Sequence, residues 1–250
     1  MSANDGLYHE DAMVAHLHNK HYRDLSNNLR NLVRAFYRDV QEDDLILCQK
    51  TEGYIKPDFY LECQGQRKYI SMKSGSATCL HEEYVDTFVA FLDSLGISKE
   101  TQETILLYHF GDGTIDGSAP ERIEYTTLRV MLNERIKRAN QELNRDKATV
   151  KKILERCIYV GTMANAIHID GIYFGDYEYG NVATLRQLDK HFYVRDWKWV
   201  NNLHVGPLQL RPHARYFGKE IKSAKRRRCL EAYWANLGND IAFIAKRYDR

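Results

Sequence analysis

The 250 residues, 44% hydrophobic and 28% charged with only 4 Pro, suit one large α/β domain or two small ones and exclude extended disorder. No run nears the roughly 18 apolar residues of a membrane span, and the opening MSANDGLYHEDAM lacks a basic stretch followed by an apolar one, so a soluble, reducing, cytoplasmic setting is expected. The net charge of +2 hides an uneven distribution, because between Arg211 and Arg228 eight bases face the single acid Glu220, the density expected of a surface that tracks phosphates.

Across residues 11–40 Met13, Val14, Leu17, Tyr22, Leu25, Leu29, Leu32, Val33 and Phe36 recur near the 3.6 period, which predicts one long core-packing helix. Residues 44–49, 55–63 and 67–73 read as three strands, the last two joined through Gln64-Gly65-Gln66 as a hairpin. After a short loop, 81–95 is expected to be helical and to end at Gly96. From 98 to 154 the pattern is a helical elaboration, broken by the turn-rich 111–121. Strands are expected at 157–162, 167–174, 203–210 and 229–234, and helices at 184–192 and 239–248. The order fits a single mixed α/β domain over 1–250, with a basic segment at about 204–228.

Asp58 and Lys73 fall on the two strands of the predicted hairpin, and alternation decides whether they can meet. Asp58, Tyr60 and Glu62 share one face, as do Tyr69, Ser71 and Lys73, and a turn near Gly65 sets Asp58 opposite residues 72–74. Phosphodiester hydrolysis needs a hard cation on one or two carboxylates, and a neighbouring lysine to orient water or offset charge on the phosphate. Asp58 and Lys73 are suited to those two roles.

Pro57-Asp58 on one strand and Ser71-Met72-Lys73 on the next resemble the PD-(D/E)xK nucleases. The resemblance implies a restriction-endonuclease-like mixed central sheet flanked by helices, and a Mg2+-dependent endonuclease in which Mn2+ can substitute. It also implies duplex DNA as partner, a homodimer that cuts both strands, and a setting in restriction or anti-phage defence. Ser71 replaces the usual acid two residues before the lysine. A similar Ser-x-Lys subgroup takes the second carboxylate from the following helix, which here offers Glu83 first, then Asp86, with Glu62 as the in-strand alternative. A catalytically degenerate nucleic-acid-binding module and an RNA-cutting toxin use the same residues and stay open.

Arg211, Arg215, Lys222, Lys225, Arg226, Arg227 and Arg228 are the expected phosphate contacts, with Tyr216, Phe217 or Trp234 available to stack on a base. His81 could touch a phosphate or metal-bound water. The five cysteines have no paired spacing, and of His16, His18 and His21 only the last two share a helix face, so no zinc site is expected. The GDGTIDG loop lacks the GK[ST] ending of a P-loop, so no nucleotide cofactor is expected.

Overall fold

The computed structural model describes residues 3–53, 55–76, 78–119, 121–194, 202–213 and 225–247, and its contacts divide the chain into two compact units. The first unit comprises residues 1–78, 158–195 and 236–250, and the second 79–157 and 196–235. The chain adopts the expected mixed α/β architecture, a mixed sheet flanked by helices.

In the first unit the sheet runs β1 (Lys20–His21), β2 (Leu45–Lys50), β3 (Phe59–Cys63), β4 (Gln66–Lys73), β6 (Gly171–Gly175) and β7 (Gly180–Thr184). Only β4 and β6 pair in parallel. The long connection between those two strands carries the whole helical elaboration and β5 (Cys79–Tyr84), as a parallel crossover requires a lengthy excursion. Helices α1 (Ala3–Leu17) and α2 (Asn27–Phe36) bury Met13, Leu17, Leu29, Leu32 and Val33 against Ile46, Cys48, Phe59, Leu61, Ile70 and Met72. Those strand residues alternate along their chains, so one sheet face is the core. Gly171 has no room for a side chain: a Cβ there would lie 2.6 Å from the Ala183 oxygen and 2.9 Å from the Phe36 ring.

The β3–β4 hairpin closes through the two residues Gln64 and Gly65, both at positive φ (52° and 73°), the conformation of a type I′ turn. Its register fixes Phe59 opposite Ile70. The single predicted N-terminal helix is instead two. Asn19 adopts a left-handed φ of 57°, a short strand and a 3-10 turn follow, and Ser26 caps α2 by accepting from the Leu29 amide. The apolar period continued through a real break, and only the capping and turn residues marked it.

The second unit holds an antiparallel sheet ordered β5 (Cys79–Tyr84), β10 (Cys229–Tyr233), β9 (Leu208–Pro212) and β8 (His204–Val205). Its helices are α3 (Val85–Ser94), α4 (Lys99–Phe110), α5 (Tyr125–Met131), α6 (Asn133–Leu143) and α7 (Lys147–Leu154). Edge strand β8 is covered by α6: Asn140 donates to the Asn202 carbonyl and accepts from the His204 amide, while Asn144 donates to the His204 carbonyl and accepts from the Gly206 amide. Two amides four residues apart on one helix thus close an edge that would otherwise be open to pairing.

Two further sequence expectations fail. Residues 81–84, expected to open a helix, lie in β5, because pairing with β10 overrides local preference. Residues 157–160, part of the strand expected at 157–162, lie in a π-helical turn (Glu155–Val160) that continues α7 and buries Cys157, Ile158 and Tyr159. An unbroken apolar run cannot by itself distinguish those states. In the first unit α8 (Leu185–Val194) and α9 (Leu237–Arg247) complete the layers, with Gly238 of α9 against the Phe174 ring. No described helix is long and apolar enough to cross a membrane.

Candidate active site

Asp58 lies one residue before β3, and its amide donates to the Ile70 carbonyl at 2.9 Å, so the ladder extends to it. The hairpin register then sets Asp58 opposite Ser71, one position short of the expected 72–74. Proline has no amide proton to donate, so a ladder cannot be extended through the Pro57 nitrogen.

One carboxylate oxygen gathers the site. Asp58 Oδ2 accepts from the Ser71 hydroxyl at 3.1 Å, from the Met72 amide at 2.5 Å and from Lys73 Nζ at 3.5 Å, while Nζ also donates to the Met72 carbonyl at 2.9 Å. Asp58 and Lys73 are each 21% exposed, whereas Ser71 is buried. No hydrogen bond falls on Oδ1 of Asp58 among the described residues, so that oxygen is available to a ligand. Tyr60 and Tyr69, their rings 5.9 Å apart, confirm that these alternate residues share one face.

An acid on an element the sequence reading left aside feels the charge of Asp58. Glu10 of α1 has its carboxyl held above the usual range by burial and then by the charge of Asp58, with Lys50 and Lys73 pulling it back. Lys50 Nζ at the end of β2 is 3.3 Å from Glu10 and 3.0 Å from Asp11. Glu10 stands at i, i+3 and i+7 with Met13 and Leu17, so it is an acid on the buried stripe of its helix. That misplaced acid was the available signal.

The acids expected beyond the motif are otherwise committed. Glu83 lies on β5 rather than on a helix, so it does not share a helix face with Asp86. Arg156 donates to both its oxygens, at 2.8 and 2.6 Å, and His81 Nε2 is 2.8 Å away. Burial raises the Glu83 carboxyl, but Arg156 and His81 outweigh it and hold the group below its usual range. Asp86, in the first turn of α3, is ion-paired with Arg228. Glu62 pairs with Arg67 at 2.6 Å, toward the turn end of the hairpin.

The basic segment is partly structural. Arg211 pairs with Glu231 at 2.7 Å and lies 3.7 Å over the Tyr233 ring, Arg227 donates to the buried Asp112 at 2.7 Å, and Arg228 holds Asp86. Lys225 and Arg226 are exposed, and Arg215, Lys222, Tyr216 and Phe217 lie outside the described residues. Trp234 is fully buried, so it cannot stack on a base. The histidines of the HLHNKH cluster serve different partners: His16 stacks on Tyr177, His18 accepts from the Cys48 amide, and His21 meets the Asp43 carbonyl.

A cationic groove instead marks the first unit. It is lined by Arg34 of α2 and Arg38 just beyond that helix, Arg186 and Lys190 of α8 and Lys246 of α9, with Asn31, Asn181 and Gln187 between them and no acid among its lining. None of these five cations pairs with a carboxylate among the described residues, and all are exposed. Edge strand β7 lies in this groove, with its Gly180 amide capped by Asn28 and its Thr184 amide by Gln187. The cations come from three separate stretches of sequence, so no single basic run announced them.

Neither a family model nor a curated protein matches the chain. Among solved structures, the chain is similar to the crystal structure of the restriction endonuclease MspI in complex with its cognate DNA, at 15% sequence identity and a TM-score of 0.48, over 90% of this chain and 87% of that one. At that level the likeness establishes neither family nor function.

Proposed function

We propose that the chain is a divalent-metal-dependent endonuclease, with Asp58 and Glu10 as the acids that hold the cation and Lys73 as the catalytic base-side cation. The observation that carries this reading is the grip of Ser71, Met72 and Lys73 on a single oxygen of Asp58, which leaves the other open. Two carboxylates close enough for one to raise the pKa of the other, with one free oxygen, fit a hard Mg2+ or Mn2+ that takes oxygen donors. Such an ion, when bound, polarises the phosphoryl oxygen and acidifies a water.

The chain's own residues supply the rest. Ser71 and the Met72 amide fix the carboxylate of Asp58, so it needs no reorganisation when substrate arrives. Lys73, anchored on the Met72 carbonyl, orients the attacking water and offsets the charge that develops on the phosphate. Ser71 occupies the place of an acid without offering a charge, and Glu10 restores the second carboxylate from α1.

Duplex DNA is the proposed substrate, drawn to the first unit by its cationic groove and by Lys225 and Arg226 in the second. A homodimer would let two such sites cut both strands, and restriction or a related anti-phage defence is the proposed setting. Incubation of the protein with supercoiled plasmid and Mg2+ should give nicked and linear products. Asp58→Ala and Lys73→Ala should each slow cutting on the order of 10²-fold to 10³-fold. Plasmid bound but left intact would identify a degenerate binding module, and preferential loss of RNA would identify an RNA-cutting enzyme.

A further inference from the structure

The second unit gathers four side chains of metal-ligating type on one face of its sheet. Sγ of Cys79 and carboxylate oxygens of Glu82 and Glu231 lie within 4.8 Å of one another. His213 Nδ1 is 3.1 Å from Glu82 Oε1 and 2.8 Å from Glu231 Oε1. Glu82 and Glu231 are direct cross-strand partners, a placement in which like charges repel.

A distortion of β5 brings the thiol to that face. His81 pairs with Ala232 and Cys79 with Tyr233, so the register shifts by one residue at Leu80 and the ladder carries a bulge. The extra residue shifts the alternation by one and turns Cys79 to the side of Glu82, which a regular strand would deny it. The remaining polar contacts are compatible with a central cation. Glu231 Oε2 accepts from Arg211 at 2.7 Å, leaving Oε1 toward His213, and among the described residues Sγ of Cys79 donates only to the His81 carbonyl, at 3.5 Å.

We propose that Cys79, Glu82, His213 and Glu231 form a zinc site that ties β5 to β10 and to the chain leaving β9. Sulfur, nitrogen and oxygen donors together suit Zn2+ rather than Mg2+, and four protein ligands make a closed, structural site. A thiol that binds zinc does so as the thiolate and releases its proton to solvent. The backbone supports the arrangement, since the His213 amide donates to the Cys229 carbonyl and holds His213 beside β10.

The test is titration of the chelator-stripped full chain with Co2+ as a spectroscopic stand-in for zinc. One equivalent should produce tetrahedral visible bands and a thiolate-to-cobalt charge-transfer band, both bleached by Zn2+. Cobalt bound through Asp58 and Glu10 alone has no thiolate and cannot give that band, so the result is independent of the nuclease reading. Cys79→Ser should abolish the charge-transfer band, while Cys229→Ser, two positions before Glu231 on β10, should keep it. Glu82 is half exposed, so Glu82→Gln should fold normally and lose at least about tenfold in zinc affinity. Absence of the band in the unaltered protein, its survival in Cys79→Ser, or unchanged affinity in Glu82→Gln would each overturn the assignment.

Discussion

Asp58 in the first unit and Glu83 in the second are both acids on or beside strands, both largely buried and both paired with a cation, yet they are built for different ends. Three donors converge on one oxygen of Asp58 and leave the other open. Arg156 closes both oxygens of Glu83 in a fork, and His81 adds a third contact. A carboxylate with all its lone-pair directions used is a structural pin, whereas one gripped from a single side is preorganised and still able to bind. The sequence cannot draw that distinction, because the fork that closes Glu83 comes from Arg156, 73 residues further along the chain.

The comparison breaks most visibly at Glu83. Glu83→Ala strands Arg156 beside a buried cavity and should destabilise the second unit by about 3–5 kcal/mol, lowering the melting temperature while each folded molecule keeps its cutting rate. Loss of cutting without loss of stability would mean that Glu83 serves the chemistry after all. Thermal melts followed by plasmid assays on the folded fraction distinguish the two.

The groove offers a sharper contrast with the basic segment. Simultaneous Arg34→Gln, Arg186→Gln and Lys190→Gln should lower the slope of log affinity against log salt for duplex DNA by about 3, at roughly 0.9 per phosphate contact. Arg211→Gln, which breaks an ion pair rather than a free contact, should leave that slope unchanged. Fluorescence anisotropy at several salt concentrations, with Ca2+ to hold cutting back, reads both.

A smaller effect follows from Glu10. Its folded-state pKa is raised, so the folded chain binds the proton more tightly than the unfolded one, and this group contributes stability that appears as pH falls through the raised value and is lost as pH rises. Glu10→Gln should therefore cost no stability at neutral pH, and it should flatten this group's part of the acid limb in pH-dependent melts. Protons also compete with the cation, so cutting should begin to fail at a higher pH than an ordinary glutamate would dictate. A limb unchanged by Glu10→Gln would remove Glu10 from the site.

Much of the first unit was legible because its signals are local. Alternation and Gln64-Gly65 defined the hairpin, and with it the meeting of Asp58, Ser71 and Lys73, to within one residue. What escaped depends on distant partners. Strand β5 exists because β10, about 150 residues on, pairs with it, and Glu10 meets Lys50 only because α1 packs on β2. The bulge at Leu80 likewise has no local cue, although it decides which face Cys79 takes.

The most direct test of the central claim is calorimetric titration of Mn2+ into the full chain and into Glu10→Gln and Asp58→Asn. The account predicts a saturable site in the unaltered protein, weakened at least about tenfold by either change, with Glu83→Gln leaving it intact. Manganese affinity that ignores Glu10 and Asp58 but falls with Glu83→Gln would contradict it.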